Sequence, residues 1–232
     1  MITLHTFGSS FGLPDASPFV MKAELLLKMS GLAYQTDSTT GFKNAPKGKL
    51  PSIRDGDALI ADSTLIRWHL EHKYQIDFDK NLSAQEKGIA WAVEKLLEDN
   101  LYWALLDARW VNDANFKRGP AQFFKAVPLP MRGLVKAMVR RQIAKNLKAH
   151  GLGRHTQQEI LAIASKNIEA VASILGDKPY LMGEHPSGAD ATCAAFIWGA
   201  LCPYFETPIR AAAEKHPNLV AYVERMRAQY YP

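Results

Sequence analysis

The sequence predicts a small α/β domain followed by an all-helical domain, and three observations carry that prediction. Strand and helix signals alternate as βαβ and then ββα over the first 74 residues. After His72 no strand signal of comparable strength recurs. Three boxes of the Ser/Thr-x-x-Asp/Glu type, at Ser83, Thr156 and Ser187, mark helix starts in the remainder. The expected limits are 1–75 for the first domain, 76–83 for a linker and 84–232 for the second.

Each element follows from local chemistry. Ile2–Phe7 alternates as a strand, and Gly8 to Ala16 reads as a loop. Ser17-Pro18 has the N-cap and first-turn residues of a helix whose apolar face runs from Val20 to Met29 before Gly31 ends it. Ala33–Thr36 is the next strand, and a further loop runs through Lys47-Gly48. A hairpin over Leu50–Ile60 then turns at Asp55-Gly56, and a helix runs from Asp62 to about His72. The helix opened by Ser83 has Ile89, Val93, Leu96, Leu97, Leu101 and Leu105 on one side. Pro128 and Pro130 interrupt the chain before a basic helix from about Arg132 to Lys148. Thr156 opens a helix with Ile160, Ile163, Ile168, Val171 and Leu175 inward, and Ser187 opens an apolar one. Pro217 starts the last, with Leu219, Val220, Val223 and Met226 inward.

Composition excludes several classes. With 232 residues, 47% hydrophobic and 22% charged, the chain falls in the globular range and can bury a proper core. Met1–Phe7 lacks a basic stretch followed by an apolar one, so no secretory signal is expected, and Ala191–Phe205 is too short to span a membrane and contains Pro203. Cys193 and Cys202 lie nine apart among apolar residues without metal spacing, which suits reduced core thiols and a cytoplasmic setting. His69 and His72 lie three apart, but no third ligand stands nearby, so no metal is expected.

Charge is unevenly spread. Ten of the basic residues (Lys117, Arg118, Lys125, Arg132, Lys136, Arg140, Arg141, Lys145, Lys148 and Arg154) fall between Asp113 and Glu159 with no acidic residue among them. Such a segment is either a solvated helix face or a surface for an anionic membrane or an acidic protein. Nucleic-acid binding has no recognisable module behind it.

The most informative stretch is Lys49 to Trp68. A proline at the start of a strand fits an edge or a cis bend, and either leaves the backbone N–H and C=O of Leu50 free for a peptide-like ligand. Asp62 and Ser63 stand at a helix start whose unpaired N–H groups favour a carboxylate. The segment therefore reads as a holder for a short acidic peptide.

The Leu50-Pro51 pair before the hairpin, Asp62-Ser63 at the next helix and the Ser187-x-x-Asp190 box together resemble the glutathione transferase superfamily across almost the whole chain. Within it, Ser17-Pro18-Phe19, Gly48-Lys49-Leu50-Pro51, Ala61-Asp62-Ser63, Leu101-Tyr102-Trp103 and Gly151-Leu152-Gly153-Arg154-His155-Thr156 are similar to the metaxin and failed-axon-connections type. The resemblance implies a thioredoxin-like N-terminal domain, a helical C-terminal domain, a homodimer, and glutathione as co-substrate for conjugation to a small apolar electrophile. It assigns Leu50 to backbone pairing with the cysteinyl unit beside a cis Pro51, Asp62 and Ser63 to the γ-glutamyl end, and Lys49 to the glycyl carboxylate. The superfamily more often has Glu at the position of Asp62.

A transferase must favour the ionised thiol of bound glutathione, and a hydroxyl donor at a helix N-terminus does so. Ser17 holds the position that resembles the Cys of the Cys-Pro-Phe classes. Its residue type equally suits a plain N-cap, and Ser9 and Ser10 are rival donors. Phe7 stands where the tyrosine-type classes carry their hydroxyl, and with no Cys at position 17 there is no nucleophile for a mixed disulfide. Tyr102, Trp103 and Trp110 are candidates for the electrophile pocket, with a core role as the other reading. The metaxin-type resemblance also permits a non-catalytic module that works through the basic helix.

Overall fold

The computed structural model describes residues 1–39, 41 and 45–232, so the loop expected before Lys49 lies partly outside the described residues. Four strands, β1 (Ile2–His5), β2 (Tyr34–Asp37), β3 (Ser52–Asp55) and β4 (Ala58–Ala61), form one sheet in the order β2-β1-β3-β4. The β1–β2 pair is parallel and the other two are antiparallel. Helices α1 (Pro18–Ser30) and α2 (Ser63–Tyr74) complete the βαβ-ββα unit, and the regular elements after α2 are helices. This is the thioredoxin-like and helical architecture the sequence predicts.

Strand β1 stops at His5, two residues earlier than expected. The reason is that the N–H groups of Phe7 and Gly8 donate to the Asp15 carboxylate instead of to a neighbouring strand. Strand β2 lies one residue later than expected. The hairpin proper begins at Ser52 because Leu50-Pro51 is a cis bend, which decides between the two readings of that proline.

The second half comprises α3 (Ala84–Leu96), α4 (Tyr102–Trp110), α5 (Asp113–Arg118), α6 (Leu129–His150), α7 (Gln157–Leu175), α8 (Gly188–Leu201), α9 (Pro208–Glu214) and α10 (Pro217–Tyr230). A π turn over Leu97–Leu101 joins α3 to α4, where the apolar pattern predicts one uninterrupted helix. Ala90, Val93, Leu97 and Leu101 face inward there, whereas Ile89 faces out beside the exposed Trp91. Helix α6 starts earlier than expected: Pro128 and Pro130 begin it instead of interrupting the chain, since a first-turn proline surrenders no intrahelical N–H. Helix α9 escaped the sequence reading, although Thr207-Pro208 repeats the Ser17-Pro18 signal. In α10 the fourth inward residue is Tyr222, and Val220 is exposed.

All three expected capping boxes form. That of α8 lies deepest. The Asp190 carboxylate accepts from the Ser187 N–H and hydroxyl (2.8 and 2.9 Å), from the Leu181 N–H (2.8 Å) and from the Tyr222 hydroxyl (2.9 Å). Helix α8 is buried along most of its length and forms the centre of the helical half. Among the described residues no helix is long and apolar enough to cross a membrane.

Helix α1 packs against α8, and beside that seam a buried ionic network links α1 to α2, α3 and the π turn. The Lys22 ammonium, fully buried, reaches Glu94 at 2.8 Å and Glu98 at 2.5 Å. Glu94 also receives Arg67 at 2.8 Å and the Thr192 hydroxyl at 3.0 Å, while Arg67 pairs with Asp79 and Glu71. Burial by itself would raise Glu94, but Lys22 and Arg67 outweigh it and hold the carboxyl below its ordinary range. Gly188 permits this arrangement: a Cβ there would lie 2.3 Å from the Arg67 guanidinium carbon.

Candidate active site

Asp15, which the sequence reading passed over, organises the loop between β1 and α1. One carboxylate oxygen accepts from Phe7 (2.8 Å) and Gly8 (3.0 Å), and the other accepts from the Ser17 N–H (2.8 Å). The two ends of the loop are thereby tied, and Ser17 is fixed at the start of α1. Burial pushes the Asp15 carboxyl up to about 6, against the pull of its three N–H donors. A folded pKa above the unfolded one means that the folded chain binds this proton more tightly. The proton-linked part of the group's contribution to stability is therefore complete below 3.8 and is lost as pH rises through about 6, while its three accepted hydrogen bonds remain. Asp15→Asn should flatten that slope in urea midpoints measured across this window, and Asp15→Ala should cost about 2 kcal/mol by stripping the charged acceptor from three N–H groups.

Ser17 is the N-cap of α1, with Pro18 in the first turn. Its hydroxyl oxygen accepts a long bond of 3.4 Å from the Val20 N–H, which leaves the hydroxyl proton available to a ligand. The rival donors differ. Ser9 spends its proton on the Leu13 carbonyl at 3.0 Å, whereas Ser10, whose backbone is paired in both directions with Leu13, has a hydroxyl with no partner among the described residues.

Val20, Ala45 and Leu50 form their own small buried cluster, which sets the Leu50-Pro51 bend against the first turn of α1. Among the described residues the N–H and C=O of Leu50 have no hydrogen-bond partner, and Lys49 beside them is exposed with no carboxylate within 4 Å. The Pro51 carbonyl accepts from the Asp62 N–H at 3.2 Å, which brings the start of α2 to the same place. Asp62 has a φ of 90°, a left-handed region that side chains rarely occupy, and the observed conformation is held by two further bonds. Its Oδ1 accepts from the N–H groups of Thr64 (2.9 Å) and Leu65 (3.3 Å), while Oδ2 stays open at an exposed position. Ser63 is buried next to it. The structure thus sets the Leu50-Pro51 bend between the first turn of α1, which Ser17 caps, and the start of α2 at Asp62-Ser63, and helix N-termini favour an anionic ligand.

The aromatic candidates separate. Tyr102 meets Phe19 edge-on at 4.9 Å, two residues from Ser17, and burial raises its phenol. Trp103 instead stacks on His150 of α6 at 4.4 Å, and Trp110 sits among Phe116, Phe123 and Phe124. None of the three lines the cleft of about 430 Å³ beside the β1–α1 loop, whose walls are Ser9, Ser10, Phe11, Gly12, Gln122, Phe123, Lys125 and Tyr204. His69 faces Asp55 at 2.8 Å, and His72 is exposed.

Arg109 is a second residue that sequence did not single out. It is buried, donating to the Gly199 carbonyl at 2.8 Å and to the Ala16 carbonyl at 3.4 Å, with its guanidinium 4.8 Å over the Phe205 ring. Among the described residues it has no carboxylate within 4 Å, and burial lowers its pKa. A guanidinium stays charged even so, and it fixes α4 and α8 to the residue preceding Ser17.

Comparison with known proteins agrees with this architecture. Residues 18–115 match the glutathione S-transferase N-terminal domain and residues 164–226 match the glutathione S-transferase C-terminal domain. The chain is 30% identical to isoprene-epoxide–glutathione S-transferase of Rhodococcus over 240 residues, which is 99% of each chain. It is also 30% identical to Failed axon connections of Drosophila melanogaster, over 100% of this chain and 58% of that one. A metaxin-1 homologue of Caenorhabditis briggsae is 26% identical, over 99% and 74% respectively. A glutathione S-transferase of Ceriporiopsis subvermispora, solved in complex with glutathione, shares the fold with a TM-score of 0.67 at 15% identity, over 100% of this chain and 98% of that one. The chain belongs to the glutathione S-transferase family.

Proposed function

We propose that the chain is an active glutathione transferase in which the Ser17 hydroxyl donates to the glutathione thiolate. The observation that carries this reading is the geometry of Ser17: a helix N-cap whose acceptor side is used by Val20 and whose proton is left over. Lowering a thiol pKa by about two units requires about 2.7 kcal/mol of preference for the anion, within reach of one charge-assisted hydrogen bond and a helix terminus. The peptide is held by the unpaired Leu50 backbone, its ammonium by the open oxygen of Asp62, and its glycyl carboxylate by Lys49.

The second substrate in this reading is a small apolar epoxide or a similar electrophile. The Rhodococcus relative, named for isoprene epoxide, supports that class. The thiolate attacks an epoxide carbon, a C–S bond forms as the C–O bond breaks, and the alkoxide takes a proton from solvent.

The working unit is a homodimer in a cytoplasmic setting. Trp68 and Trp91 are exposed and stack on one another at 6.3 Å across α2 and α3. An exposed aromatic pair of this kind suits a second copy. Trp68→Glu with Trp91→Glu should yield a monomer by sedimentation; an unchanged mass would move the interface elsewhere.

The reading as a whole is tested by calorimetric titration with reduced glutathione while thiolate absorbance is followed on the same sample. Binding between micromolar and low millimolar with a thiolate signal at neutral pH is expected. No binding at high millimolar ligand would leave a fold retained without turnover.

A further inference from the structure

Helix α6 has only one buried residue, Leu147, in its 22 positions. Leu129, Met131, Leu134 and Met138 are 77, 56, 70 and 60% exposed. Met131, Leu134 and Met138 follow one another at intervals of three and four, so they share a face, and Arg141, Lys145 and Lys148 continue that face at the same intervals. The outward surface of a helix about 33 Å long is therefore apolar in its first half and cationic in its second. Phe123, 44% exposed, lies just ahead of it.

Most of the unpaired charge around this face is positive. Of the basic residues between Asp113 and Glu159, Arg118 pairs with Glu206 and Arg140 with Asp113. Lys117, Lys125, Arg141, Lys145 and Lys148 are exposed and have no carboxylate within 4 Å among the described residues. A large exposed apolar stripe beside unneutralised cations needs an occupant that accepts both.

We propose that the outward face of α6 docks on an anionic lipid bilayer. Met131, Leu134 and Met138 enter the boundary between head groups and acyl chains, and Arg141, Lys145 and Lys148 hold lipid phosphates. Charge complementarity selects this partner. A nucleic acid would meet the cations but leave Leu134 and Met138 against phosphates, whereas a bilayer takes the apolar and the cationic half of one straight helix without needing a matching groove. Flexible methionines suit a surface without fixed shape.

The test is co-sedimentation of the full chain with vesicles of phosphatidylcholine containing about 30% phosphatidylserine, against vesicles of phosphatidylcholine alone. Binding to the anionic vesicles that weakens with salt is expected. Arg141→Gln, Lys145→Gln and Lys148→Gln together should weaken it about 100-fold, and Leu134→Ser with Met138→Ser about tenfold. All five side chains are exposed, so the variants keep the fold, and circular dichroism verifies that. Failure to sediment with anionic vesicles overturns the proposal. So does wild-type binding by the Leu134→Ser, Met138→Ser variant, or equal competition by soluble polyglutamate, which would make the occupant an acidic protein. Glutathione affinity does not enter the readout, so this result and the transferase reading stand or fall separately.

Discussion

Replacing Lys22 with methionine should destabilise the fold by about 3–5 kcal/mol, a large share of the stability of a domain of this size. The side chain is 0% exposed and its ammonium lies against two carboxylates, Glu94 and Glu98, that are themselves buried. Methionine fills a similar volume, so the loss of charge dominates over the loss of packing. Glu94 would keep Arg67 and the Thr192 hydroxyl, but among the described residues Glu98 would keep only Lys95. Removing one member of a buried pair leaves its partner desolvated without compensation, which costs more than the intact pair contributes.

The pH dependence identifies the cause. Glu94 is held below its ordinary range, so the stability it provides is present above its unfolded value and is lost as pH falls through its folded value. Without Lys22 the Glu94 carboxylate protonates more readily, and the difference between wild type and Lys22→Met should shrink as the solution is acidified. Urea unfolding at neutral and acid pH reads this directly. A difference under about 1 kcal/mol at neutral pH would show that water or a rearranged Arg67 compensates Glu94 and Glu98. Adding Glu98→Met to Lys22→Met should recover part of the loss, because the two residues act as one unit.

This network also shows where sequence reading stops. The position of Lys22 inside the apolar run from Val20 to Leu27 is a visible signal, as are Glu94 and Glu98, one turn apart beside Val93 and Leu97. Their pairing is not visible, because 72 and 76 residues separate the partners and only the packing of α1 and of α3 against α8 brings them together. Local rules succeeded where the determinant is local. The capping boxes of Ser83, Thr156 and Ser187, the turn at Asp55-Gly56 and the bend at Pro51 depend on residues within a few positions. Pro128 and Pro130 misled because a proline is compatible with both a helix interruption and a helix start, and the residues C-terminal to it decide. Asp15 looked like one more polar loop residue, yet its role comes from the orientation of three N–H groups that the folded loop alone provides. The bend at Leu50-Pro51 and the helix start at Asp62-Ser63 were legible because such backbone geometry leaves sequence signatures. The walls of the cleft, which come from the β1–α1 loop and from residues over a hundred positions away, were not.

Ser17→Ala should lower kcat about 100-fold near neutral pH and leave KM for glutathione within about a factor of three, if the hydroxyl stabilises the thiolate by about 2.7 kcal/mol. The proposed peptide contacts at Lys49, Leu50 and Asp62 are untouched by this change, so ground-state binding should persist. The lost cap costs about 1 kcal/mol or less, given the 3.4 Å bond that it makes, and the fold remains intact. A role confined to capping would shift the unfolding midpoint and leave turnover unchanged. Thiolate absorbance separates the two roles: the pKa of bound glutathione should rise by about two units in Ser17→Ala, and activity should return toward wild type as pH approaches that of the free thiol. If the thiol pKa instead moves in Ser9→Ala or Ser10→Ala, the donor belongs to the loop beside the cleft, and the proton of Ser17 has another acceptor. An unmoved pKa in all three variants would assign the activation to the N-terminus of α1 itself, whose backbone N–H groups survive every side-chain change made there.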